Sequence, residues 1–102
     1  MCSNHYTIKY DIDIDLRIVN TITLGKNESA NITELRNNAC NYQKSLERHI
    51  ENLVKWNILR DEKPKSNGYA RKFTLVKPYG DCMMELMRLK EAIDTVNEFF
   101  VS

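Results

Sequence analysis

At 102 residues and 12.0 kDa the chain has room for one small domain, and a second is excluded. Its hydrophobic fraction of 42% supports one modest core, and a domain of this size readily gains stability from a partner subunit. Fifteen Lys and Arg against fourteen Asp and Glu leave a formal charge of +1, which by itself excludes neither an acidic nor a basic partner.

No run of about 18 apolar residues is present, and Met1–Asn4 followed by the charged, alternating stretch Lys9–Arg17 does not read as a signal peptide. The expectation is a soluble, cytoplasmic protein. Cys2, Cys40 and Cys82 are odd in number and lack paired spacing, which argues against a disulfide framework or a zinc knuckle. Asn27-Glu28-Ser29 and Asn31-Ile32-Thr33 match the glycosylation pattern by chance in such a chain.

The first twenty residues carry two periods. Tyr6, Ile8, Tyr10, Ile12, Ile14, Leu16 and Ile18 alternate with polar residues as in a strand, while Ile12, Leu16, Val19 and Ile22 follow helical spacing. The segment divides into an extended part through about Tyr10 and a helix from about Asp13 to Leu24. Asp11 or Asp13 is the N-cap, and Gly25 is the left-handed residue that ends the helix.

Lys26–Asn31 reads as a polar connector. Asn31 caps a short helix with Ile32, Leu35 and Ala39 on its buried stripe and Glu34 at the third position, as in a capping box. Cys40-Asn41 breaks it. Asn41 then caps a longer helix ending near Asn57, with Leu46, Ile50, Leu53 and Val54 on one face and Lys44, Glu47, Arg48, Glu51 and Lys55 on the others.

Ile58–Lys63 and Arg71–Lys77 read as two strands joined through Pro64-Lys65-Ser66-Asn67-Gly68, a hairpin signal. Pro78 and Gly80 stop the second strand, and Asp81 caps a last helix to about Phe100. In that helix Cys82, Leu86, Leu89, Ile93, Val96 and Phe100 are spaced 4, 3, 4, 3, 4. Such a stripe packs either on the domain's own core or against a second copy, and the 3–4 alternation, the coiled-coil period, favours the dimer seam. At a seam position Cys82 would face its mate only in a parallel dimer; otherwise it is a buried thiol.

The charges are unevenly placed. Residues 1–30 hold three basic and four acidic residues, residues 31–80 ten and five, and residues 81–102 two and five, so the net charges are −1, +5 and −3. Positive charge is thus confined to the longer middle helix and the hairpin, the footprint expected where phosphates are neutralised.

A short helix, a tight turn, a longer helix and a basic hairpin make the plan of a winged helix-turn-helix domain. On it, Tyr42, Gln43, Lys44, Ser45 and Arg48 occupy the start of the reading helix. Gln is suited to adenine, Arg and Lys to guanine, and Tyr and Ser to phosphate. Singly, each is also an ordinary solvated side chain.

The run from Ser45 to Leu59, Ser-Leu-Glu-Arg-His-Ile-Glu-Asn-Leu-Val-Lys-Trp-Asn-Ile-Leu, resembles the T-V-x-R-H-I-x-x-L-x-x-x-G-L-I stretch of winged-helix regulators. With the helix around Asp15–Ile22 and the long last helix, the chain most resembles small archaeal winged-helix DNA-binding proteins, cellular, viral or plasmid-borne. These dimerise through a C-terminal antiparallel coiled coil. The resemblance covers about residues 11–100. It implies a wing in which Lys63, Lys65, Asn67, Arg71 and Lys72 meet phosphate or the minor groove. The chain departs from the family at Asn57, where Gly is usual and which Asn can replace because it also visits the left-handed conformation, and at Lys77-Pro78-Tyr79-Gly80, which keeps only the Gly of a Thr-x-x-Gly junction.

Enzyme chemistry finds little footing. Cys40 and His49 lack a third group to orient them, Cys2-Ser3-Asn4-His5 supplies two metal ligands at most, and the three glycines stand apart. Asp11, Asp13 and Asp15 splay around a helix start and favour its dipole. His49 reads either as a DNA contact or as a core-edge residue. The expectation is therefore a mainly α protein with a β-hairpin wing, residues 1–80 forming the winged domain and 81–102 a dimerisation helix. It would be a homodimer on double-stranded DNA, regulatory or architectural and nucleoid-associated, without enzymatic activity, metal, cofactor, small-molecule ligand or membrane contact. The rival is a protein-interaction adaptor whose last helix receives a partner's helix.

Overall fold

The computed structural model describes residues 10–62 and 71–101, the last two by backbone alone. The described residues are mainly helical, with four α-helices and one three-stranded antiparallel sheet. Helix α1, Ile12–Leu24, starts where the Asp11 carboxylate accepts from the Asp13 amide at 3.1 Å. Of its expected stripe, Ile12, Val19 and Ile22 are buried, with Ile14 and Ile18 beside them, while Leu16 is half-buried. Gly25 ends α1 in an extended conformation (φ −77°, ψ 165°), not the left-handed one expected. What requires glycine there is a close approach, since a Cβ would lie 2.1 Å from the Ser29 carbonyl oxygen.

The connector after Gly25 is shorter than its polarity suggests. A 3₁₀ turn, Lys26–Glu28, in which Asn27 and Glu28 both adopt positive φ, leads into strand β1, Ser29–Asn31. Helix α2, Ile32–Asn38, follows at once with the expected capping box. Glu34 N donates to Asn31 Oδ1 at 2.9 Å, and Asn31 N donates to Glu34 Oε1 at 3.0 Å. Its stripe of Ile32 and Leu35 is buried, as is Ala39 just beyond it.

Helix α3, Gln43–Lys55, buries Leu46, His49, Ile50 and Leu53. Val54, expected on that face, lies off the stripe and is exposed. Asn57 then turns the chain at φ 61°, the left-handed conformation that an Asn tolerates better than most residues.

Strand β2, Leu59–Asp61, and strand β3, Lys72–Leu75, are shorter than the runs expected. The strand order is β1-β3-β2, with Ala30 and Asp61 flanking Phe73 from either side. Phe73 is fully buried and anchors the sheet on the helices.

Helix α4, Tyr79–Val101, begins two residues before the expected cap Asp81. The Pro78 carbonyl accepts from Asp81 N at 3.0 Å and Cys82 N at 3.1 Å, so Gly80 lies inside the helix. Cys82 and Leu86 join the common core and Leu89 packs against it. The boundary expected between residues 80 and 81 therefore does not separate two cores. The radius of gyration, 15.0 Å, exceeds the roughly 13 Å of a compact chain this long, and the molecule is elongated, with extents of 48 × 27 × 20 Å. Among the described residues, no helix is long and apolar enough to cross a membrane.

Candidate nucleic-acid interface

Residues 3.6 to a turn place Lys44, Arg48, Glu51 and Lys55 within an arc of roughly 60°, opposite the Leu46–Ile50–Leu53 stripe. All four are exposed, so α3 presents a ridge with three cations and one carboxylate to solvent. Tyr42 is the N-cap in place of the expected Asn41. It is 76% exposed, and no side chain caps the helix. The first turn carries no acidic residue either, so its amide N–H groups and the positive helix end remain open to an anion.

Of the five residues expected at this end, Tyr42, Lys44 and Arg48 are exposed, the last two side by side on the ridge. Gln43 is exposed but its Nε2 donates to Glu47 Oε1 at 3.0 Å, and Ser45 is half-buried. Lys55 was not among them, although its spacing of seven from Arg48 places it on the same ridge. Beside the α2–α3 turn, a hollow of about 320 Å³ is lined by Arg17, Arg36 and Asn41 among others. There an Arg17 N–H donates to the Ala39 carbonyl at 3.4 Å.

Of the wing residues, Lys63, Lys65 and Asn67 lie outside the described residues. Lys72 is exposed on β3. Arg71, half-buried just before β3, is engaged across the ribbon: its Nε and one terminal nitrogen donate to Asp61 Oδ2 at 3.2 and 3.1 Å, and its guanidinium lies 5.2 Å from the Phe73 ring centre. It thus locks β3 to β2 and leaves Lys72 as the exposed cation at the base of the ribbon. Arg60, exposed on β2, adds a second that the sequence reading did not single out.

The seam residues divide. Cys82 and Leu86 are buried in the chain's own core, which removes them from any interface and Cys82 from an interchain disulfide. The Cys82 thiol donates to the Lys77 carbonyl at 3.5 Å, and burial pushes its pKa up. Leu89, Ile93 and Val96 are half-buried, and the Phe100 side chain lies outside the described residues.

Beneath the ridge is a polar cluster. Asp15, expected at the solvated start of α1, is fully buried. Tyr10 Oη donates to its Oδ2 at 2.6 Å, and His49 Nδ1 lies 2.8 Å from its Oδ1. Asn52 Nδ2 donates to Tyr10 Oη at 3.5 Å. Burial pushes the Asp15 carboxyl above the usual carboxylate range, against the pull of its Tyr10 and His49 partners. Burial likewise raises the Tyr10 phenol, helped by its bond to Asp15. His49 is thus the core-side residue of the two alternatives. The signal for Asp15 was present in the spacing, since Asp15, Val19 and Ile22 fall at i, i+4 and i+7.

Among the described residues no three His, Cys, Asp or Glu side chains come together as a metal site. No protein-family model, no curated protein and no solved structure matches the chain.

Proposed function

We propose that the chain is a winged helix-turn-helix protein that binds double-stranded DNA as a homodimer. The observation that carries this is α3: its buried stripe holds it on the core while Lys44, Arg48 and Lys55 form the opposite ridge, beginning at an uncapped N-terminus. A helix so presented fits a major groove, with its open end toward a phosphate. The element order, with β1 between α1 and α2 and the β2–β3 ribbon after α3, supports the same reading. In it, Arg60 and Lys72 meet the backbone or minor groove beside the helix. The second half of α4 pairs two copies, which places two reading helices on one duplex.

Duplex binding measured across salt tests the proposal. The affinity should fall with a log–log slope of about −0.9 per phosphate neutralised. Arg48→Ala should cost about 1–3 kcal/mol and relax preference at one base pair if its contact is bidentate. Lys65→Ala should weaken all sequences alike. Selection of bound duplexes from a random pool then separates a regulator, which returns a consensus, from an architectural protein, which returns none. A monomer indifferent to DNA would instead favour an adaptor, whose partner helix would lie along Leu89, Ile93 and Val96.

A further inference from the structure

A carboxyl in a helix–helix contact loses hydration that apolar packing would not forfeit, and only well-placed donors offset the loss. Asp15 occupies such a place in the α1 stripe, and α3 reaches it by two routes. His49 meets one oxygen directly, and Asn52, one turn further along α3, donates to the Tyr10 hydroxyl that donates to the other. The Tyr10 ring lies 4.7 Å from the His49 ring and 6.0 Å, edge-on, from Trp56, so the aromatic contacts hold the same pieces together.

The functional weight of this cluster comes from leverage. Leu46, Ile50 and Leu53 hold α3 to the core through contacts that are not directional, whereas hydrogen bonds weaken steeply with angle. A rotation of α3 by about 20° moves a point at its outer radius of about 5–6 Å through about 2 Å. A base contact, confined to about 2.7–3.2 Å, does not absorb that displacement. His49 adjoins Arg48 in sequence, so the residue that keys α3 to α1 and the residue proposed to read a base move as one unit.

We infer that Asp15 is a positioning residue: through His49 and Tyr10 it sets the rotation of α3 on the core and thereby the aim of Lys44 and Arg48. The consequence for DNA rests on the proposed function above; the setting of α3 does not.

The test compares the wild-type chain with His49→Leu, His49→Asn and Tyr10→Phe, each kept well below its unfolding midpoint. Asn places an amide nitrogen where Nδ1 stood, and Phe keeps the Tyr10 ring while removing its donor. Duplex affinity should fall about tenfold or more in His49→Leu, return to within about threefold in His49→Asn, and fall severalfold in Tyr10→Phe. Amide hydrogen exchange over Gln43–Lys55 without DNA should quicken in His49→Leu and Tyr10→Phe and recover in His49→Asn.

Wild-type affinity in a folded His49→Leu, or equal losses in His49→Leu and His49→Asn, would overturn the inference. Where His49→Leu does not fold, Tyr10→Phe decides, and wild-type affinity and exchange in that variant overturn it. If the wild-type chain binds no duplex, the DNA reading fails by itself. Exchange then judges the positioning role, and unchanged α3 exchange in the variants overturns it.

Discussion

In the first half of α4, Cys82 and Leu86 are 0% and 1% exposed against the core, whereas in the second half Ile93 and Val96 are only half-buried and neighbouring Phe99 is 76% exposed. The four residues of that 4–3 series share one helix face, so the pattern alone does not distinguish them. Length does. With 23 residues α4 is about 34 Å long, while the 13 residues of α1, on which it packs, span about 20 Å. The ten residues of difference run past what the domain can cover. A heptad series longer than its own domain therefore serves first as core, and only the remainder is left for a partner.

The sharpest way to break this contrast is chemical. Peptide mapping after alkylation should find Cys82 protected relative to half-buried Cys40 by roughly a thousandfold, equivalent to an opening cost of about 4 kcal/mol. Equal labelling would mean that the first half of α4 is not core. Leu86→Ala should lower folding stability by about 2–5 kcal/mol, read from urea unfolding, because it leaves a cavity under α4. That loss should not depend on protein concentration.

In the second half the expectation reverses. Ile93→Asp should weaken self-association by about tenfold, or about 1.4 kcal/mol, in sedimentation equilibrium while leaving the monomer's unfolding midpoint nearly in place. A wild-type chain that is monomeric at every concentration would remove the pairing role. Smallest of all is Asp94→Ala. Its Oδ2 lies 4.0 Å from Lys90 Nζ and both side chains are well exposed, so stability should move by less than about 0.5 kcal/mol.

Much of the fold was legible where local chemistry settles the outcome. The Asn31–Glu34 capping box, the Ile32–Leu35–Ala39 stripe and the left-handed Asn57 depend on neighbours within a few residues, and each is found as read. Strand β1 was not legible. Ser29-Ala30-Asn31 has no apolar alternation, and it becomes a strand because β3, more than forty residues away, supplies its hydrogen bonds. Gly25 was read for the wrong reason, since the crowding that requires it comes from the Ser29 carbonyl as the chain enters β1.

The candidate site divides in the same way. Lys44 and Arg48 could be placed outward from the helical spacing of Leu46, Ile50 and Leu53. Arg71 looked like another wing cation until Asp61, across the β2–β3 ribbon, was seen to hold it. Asp15 and His49 are 34 residues apart, and nothing local to either announces the other.

By itself the sequence determined the helices, their caps, the stripes that face inward and the confinement of net positive charge to residues 31–80, because these follow from periodicity and residue type. Tertiary structure alone decided which cations stay free, which half of α4 is core and that Asp15 lies beneath α3. Those outcomes depend on which surfaces meet, and burial acts on the meeting surfaces, not on the order of residues along the chain.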